Sequence, residues 1–266
     1  MSAESLSPAD GGRTFWAVRD AVVLTKRSLR HIPRIPELLV FSTIQPVMFV
    51  LLFRYVFGGA IDVRGTSYVN FLMAGIFVQT VAFGSMTTAI SLSEDLQKGL
   101  VDRFRSLPMS RSAVLIGRIA ADIVRNGFIV VVMLVVGLAV GFRPEAGVLE
   151  WIAAGGLLLL VSLSFSWIAS AIALWVKTPE AVQSAGFIWL FPLTFASSAF
   201  VETASMPGWL QSFANNQPIT ETVNAVRGLL LGLPLGNDGW HALLWCLGIM
   251  AVFVPLSVSA YRRFSA

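Results

Sequence analysis

Leu38 to Phe57 is a run of twenty residues interrupted by a single charge, Arg54. As a helix it is about 30 Å long, the thickness of a bilayer's hydrocarbon core. Comparable apolar runs return at Tyr68–Leu92, Arg111–Gly141, Trp151–Val176, Gln183–Val201 and Trp240–Ala260. Lipid offers backbone amides no partner, so such runs must be helices that satisfy themselves. Charged residues make up 13% of the 266-residue chain, about half of what a soluble domain carries. The expected fold class is all-α integral membrane, with six transmembrane helices. Pro46 should kink the first and Pro192 interrupt the fifth, while Trp151 and Trp175 anchor the fourth at the interfaces. The third run is too long for the hydrocarbon alone. Its first turns carry Arg118, Asp122 and Arg125 at i, i+4 and i+7, one helical face on which charges can pair.

The loops fix the orientation. Fifteen of the nineteen Lys and Arg residues fall on the side that holds both termini, leaving Arg54, Arg64, Arg143 and Arg227 on the other. By the positive-inside rule both termini are cytoplasmic. The organisation read from this is residues 1–37 as a cytosolic N-terminus, 38–260 as one six-span domain and 261–266 as a cytosolic C-terminus. Within the N-terminus, Phe15, Val18, Val22, Thr25 and Leu29 share one face of Arg13–Arg30, with Arg19, Lys26, Arg27 and Arg30 elsewhere. That pattern suits an interfacial helix with cations near anionic head groups, or a soluble basic leader. Residues 1–12 are polar and predict no cleaved signal peptide.

Between the second and third spans lies the longest polar interruption, EDLQKGLVDRFRSLPMSRSAVLIGR, from Glu94 to Arg118. Leu96, Leu100, Phe104 and Leu107 form one helical face and charged or polar residues fill the others. Pro108 ends this helix, and Ser110 can cap the next. An apolar ridge in the cytosol is either an ordinary loop helix or a docking element for a partner. The segment from Glu202 to Gly239 is too long for a turn, and its two short helices, SMPGWLQSFA and PITETVNAVRGLLLG, cannot span. They read as a pair dipping into the outer leaflet, with Asn215, Asn216 and Gln217 between, or as a hairpin on the outer surface.

Much chemistry is excluded. There is no GxxxxGK[ST] loop to cradle a nucleotide phosphate, and no HExxH, CxxC or GxSxG. One cysteine and two distant histidines provide no evident metal site. No ionisable group sits mid-span, as a proton-coupled pump would need, and no inverted repeat is evident. A transport subunit without its own energy source fits best. A membrane-embedded lipid-modifying enzyme would have to draw on Arg118, Asp122 and Arg125, or on Glu202, Asn215, Asn216 and Glu221. A scaffold that only docks a cytosolic partner is the third reading. The spans offer aromatic surface, of which Phe77, Phe187, Trp189 and Phe195 are candidates to line a cargo route; packing or lipid-facing roles account for them equally simply.

The 94–118 stretch resembles the link between the second and third spans in type-2 permeases of ATP-binding cassette exporters. The matching positions are Glu94, Gly99, Leu107, Pro108, Arg111, Gly117 and Arg118. VDRFRSLPMSR is similar to the daunorubicin-resistance branch, and QPITETVNAVRGLLLG to the family's element before the last span, with Asn215, Pro218 and Arg227. The resemblance covers essentially the whole chain. It implies an N-terminal interfacial helix, a cytosolic coupling helix between spans 2 and 3, and an outer re-entrant helix pair between spans 5 and 6. It also implies two cytosolic ATPase subunits that carry ATP and Mg, no cofactor in this chain, and a second copy or a related permease alongside. Glu94, Leu96, Gly99, Leu100, Arg103, Phe104, Leu107, Pro108 and Arg111 would meet the ATPase, with Phe104 as anchor. The implied cargo is an amphipathic or hydrophobic drug, with a lipid or glycolipid as the alternative, moved across a bacterial plasma membrane. Nucleic acid is not an expected partner.

Overall fold

A computed structural model describes residues 36–61, 63, 65–98, 111–176 and 178–264. Within them the chain is helical, without strands: α1 (Pro36–Leu51) running into a π turn (Leu52–Phe57), α2 (Tyr68–Gln97), α3 (Arg111–Ala139), α4 (Val148–Trp175), α5 (Pro179–Phe195), α6 (Gly208–Asn215), α7 (Pro218–Leu231) and α8 (Asp238–Phe264). Four helices are long and apolar enough to cross a membrane: α2, the Ile119–Ala139 part of α3, α4 and the Asp238–Tyr261 part of α8. The chain is thus a multi-pass membrane protein. Of the other two expected spans, α5 has 17 residues, and α1 with its π turn runs unbroken from Pro36 to Phe57.

α2 is the centre. It packs most extensively against α4, and also against α5, α3, α7 and α1. Every described residue from Phe71 to Ala82 is buried, so no amphipathic stripe is visible in it. Ser67 caps its N-terminus by accepting from Asn70 N at 3.3 Å. Its far end continues through Glu94 to Gln97, so Glu94 and Leu96 extend the second span instead of opening a separate helix. α4 and α8 join through the Ser257 hydroxyl, which donates to Trp167 O at 3.1 Å.

Element ends differ from the expected ones for local reasons. α5 starts four residues early because Thr178 caps it and Pro179 sits in its first turn, where a missing N–H costs nothing. The helix continues through Pro192 to Phe195, and the residues to Val201 form a turn. Pro46 and Pro255 likewise lie inside continuous helices. Gly232 closes α7 at φ 63°, a left-handed cap that suits glycine.

Candidate functional site

The predicted outer helix pair is present as α6 and α7, and neither is long enough to span. The two differ sharply in placement. α6 is mostly exposed, Asn215 at its end included, whereas Pro218–Leu231 is almost wholly buried. The reason sits at Gln217. Its side-chain oxygen accepts from Ile219 N at 3.2 Å and so caps α7, while its Nε2 donates to Leu193 O at 2.8 Å and Ala196 O at 3.2 Å. One amide therefore starts α7 and ties it to the end of α5. Pro218 takes the first helical position.

Arg227, 8% exposed, completes the joint. Its Nη2 donates to Ser198 O at 2.7 Å and, together with Nε, to Phe71 O at 3.2 Å. Nη1 donates to Asn224 Oδ1 at 3.1 Å, and that oxygen also accepts from the Ser198 hydroxyl at 2.7 Å. The guanidinium carbon lies 3.6 Å from the centroid of the Phe71 ring, a cation–π contact in a desolvated place. One fork thus binds α2, the turn after α5, and α7. Burial pulls the guanidinium below its ordinary range, opposed by the carboxylates of Glu202 and Asp238. The turn can come this close because Gly75 has no side chain: a Cβ there would meet the backbone of Ala199. The Tyr68 hydroxyl donates to Phe200 O at 3.1 Å and holds the same turn.

Next to this joint Glu221 meets α8. Its Oε1 is 3.3 Å from His241 Nδ1. Burial and the nearby Asp238 carboxylate push the Glu221 carboxyl up, and His241 works the other way.

The aromatic candidates separate. Phe77 is 1% exposed and meets Phe142 edge-on, so it belongs to the core of this chain. Trp189 lies against Phe165 at 5.5 Å, and the half-exposed Phe187 against Phe83 at 6.1 Å. Phe195 joins a stack with Phe191 and Phe200 that continues through Phe53 to Phe57. This ribbon, which joins α5 to the π turn, was not evident from sequence because α1 and α5 are far apart in the chain. At the inner end, Glu94 pairs with Lys98 at 3.1 Å on the exposed surface. Gly99, Leu100, Arg103, Phe104, Leu107 and Pro108, and the side chain of Arg111, lie outside the described residues, as does the interfacial helix Arg13–Arg30. Of the predicted charge face, Arg125 Nη1 pairs with Asp122 Oδ1 at 2.9 Å and Nη2 donates to Gly84 O at 3.0 Å. Arg118's side chain is outside the described residues.

This architecture, a helical membrane domain with a short buried helix returned into it before the last span, is matched by a family model over residues 19–231. The chain belongs to the ABC-2 type transporter family. It is 34% identical over 240 residues to a daunorubicin resistance ABC transporter permease protein of Streptomyces coeruleorubidus, covering 90% of this chain and 85% of that one. A probable doxorubicin resistance ABC transporter permease protein of Mycobacterium tuberculosis is 28% identical over 253 residues, 93% and 90% of the two chains. A putative transport permease of Cyanophora paradoxa is 27% identical over 221 residues, 81% and 76%. Membership makes this chain a membrane component of an ABC transporter, whose ATPase is a partner.

Proposed function

We propose that the chain is the permease subunit of an ATP-driven exporter in a bacterial plasma membrane, moving a drug-like amphipathic cargo outward. The observation that carries the reading is the similarity to drug-resistance permeases along nine-tenths of the chain. In this reading α1 and α5 cross as the first and fifth of six spans, both termini are cytoplasmic, and two permeases stand side by side over two ATPase subunits. ATP and Mg bind the ATPases; this chain contributes no catalytic group. The stretch from Glu94 through Leu100, Phe104 and Leu107 docks in a groove on the ATPase, helix in groove, with Phe104 as the buried anchor. Arg103, Arg105 and Arg111 steer the encounter from the rim. The Gln217–Arg227 joint keeps the re-entrant helix fixed to α2, so that motion begun at the inner end of α2 reaches the outer face as one rigid step.

The test co-expresses the chain with its ATPase and measures both pull-down and daunorubicin efflux. Leu100→Asp with Phe104→Asp places two charges in an apolar groove, which costs several kcal/mol and should abolish a micromolar contact. Capture of the ATPase by the wild type but not the double variant, with efflux lost in step, supports the reading. Equal capture moves the docking to Arg13–Arg30. Capture without drug efflux transfers the cargo assignment to a lipid or glycolipid.

A further inference from the structure

A cavity of about 90 Å³ lies where α1, α2 and α3 meet, between Gln45, Phe49, Gln79, Phe83, Thr87 and Arg125. Gln79 is eleven residues along the thirty of α2, so the cavity is at membrane depth. Most of a protein's buried amides are paired. Gln79 is 4% exposed, yet its Nε2 has no hydrogen-bond partner, and it lines this cavity. The opposite wall presents the Arg125 guanidinium, whose charge is already matched by Asp122 at 2.9 Å. Phe49, Phe83 and Ile129 make the remainder apolar. Gln45 is exposed at the rim.

We infer that this cavity binds the uncharged oxygen-bearing end of an amphipathic molecule, with Gln79 Nε2 and the Arg125 guanidinium donating to a carbonyl, ether or hydroxyl oxygen. A full anion is disfavoured because Arg125 is paired and the Asp122 carboxylate lies beside it. The size sets the rest: drug pockets run to about 300 Å³ or more, and a cavity of about 150 Å³ holds one benzene. Only a head enters, and the apolar body stays against Phe49, Phe83 and lipid. A glycerol ester of a membrane lipid and a carbonyl-bearing cargo share this chemistry. The inference rests on the membrane placement of α1–α3 and needs neither an ATPase nor a known cargo.

The experiment uses the full chain in detergent with two probes: monolauroylglycerol, counted by native mass spectrometry, and doxorubicin, followed by its fluorescence. Gln79→Leu removes the donor at similar volume, and Thr87→Phe fills the cavity from another wall with Gln79 intact. Both variants are compared with wild type at equal monodisperse yield. The expected result is roughly tenfold weaker binding of at least one probe in Gln79→Leu, about 1.4 kcal/mol, and its loss in Thr87→Phe. A fall for monolauroylglycerol alone assigns the site to lipid, and for doxorubicin alone to cargo. Absence of binding to the wild type, or affinities unchanged in both variants, overturns the inference and leaves a cavity for water. Failure of drug efflux with the ATPase present would sink the proposed cargo without touching this result.

Discussion

Arg227 lies over the ring of Phe71 at 3.6 Å and donates twice to the carbonyl oxygen of the same residue. Face and backbone of one α2 residue are thus held by one side chain from α7. Arg227→Met keeps the stem and removes the fork, leaving the Ser198 and Phe71 carbonyls without their donor. Each such buried group costs about 1–3 kcal/mol, so the variant should lose several degrees of thermal stability in detergent. Arg227→Lys keeps the charge but cannot reach three acceptors in one plane, and should recover less than half of the loss. Full recovery by lysine would mean that charge alone matters here.

Gly75 marks the closest approach of α2 to the turn at Ala199. Gly75→Ala ordinarily stabilises a helix by up to about 1 kcal/mol. Here the added methyl meets backbone that is itself tied down by Arg227 and Tyr68, and overpacking of this kind costs about 1–3 kcal/mol. A net fall in melting temperature is expected; a rise would show that the turn can move aside.

Asp122 and Arg125 form a pair with both side chains about nine-tenths buried. Removing one partner strands a charge, at a cost of about 3–5 kcal/mol, whereas replacing both with apolar groups is often neutral. Arg125→Met should therefore be more destabilising than Asp122→Leu combined with Arg125→Met. Chemical denaturation of the three proteins in one detergent decides it, since simple additivity predicts the opposite order.

Glu221 gives a pH effect whose sign is set by burial and by Asp238, which together raise its carboxyl above the usual value. An unfolded glutamate titrates near 4.3. The folded protein holds this proton more tightly, so the contribution is complete below about 4.3 and is lost as pH rises through the higher folded value. The melting temperature of the wild type relative to Glu221→Gln should thus fall as pH rises from about 4.3 towards neutrality. His241, 3.3 Å away, opposes this trend when charged, and Glu221→Gln in a His241→Ala background isolates the carboxyl. A difference that grows with pH would reverse the assignment.

The sequence announced elements better than joints. Asp122 and Arg125 were legible because their spacing puts them on one helical face, and the structure pairs them. Pro218 and Gly232 marked the ends of α7 in advance, because a missing N–H and a left-handed backbone each suit one terminus. Pro192 misled: a proline removes one helical bond, but packing against neighbours carried α5 to Phe195 regardless. The partners of Arg227 were invisible. Two of them are carbonyl oxygens, which every residue has, and one is 156 positions away. Gln217 was equally opaque, since a lone amide does not advertise three backbone partners until α5 and α7 are side by side.

The grip of Arg227 on main chain has an evolutionary corollary. Phe71 O and Ser198 O exist whatever side chain stands at 71 or 198. Substitution along α2 and the turn can therefore alter the surface around this joint without removing the acceptors that hold it. A lineage could retool its selectivity there by single steps, each tolerated, while the hinge point between the re-entrant helix and the bundle stays put.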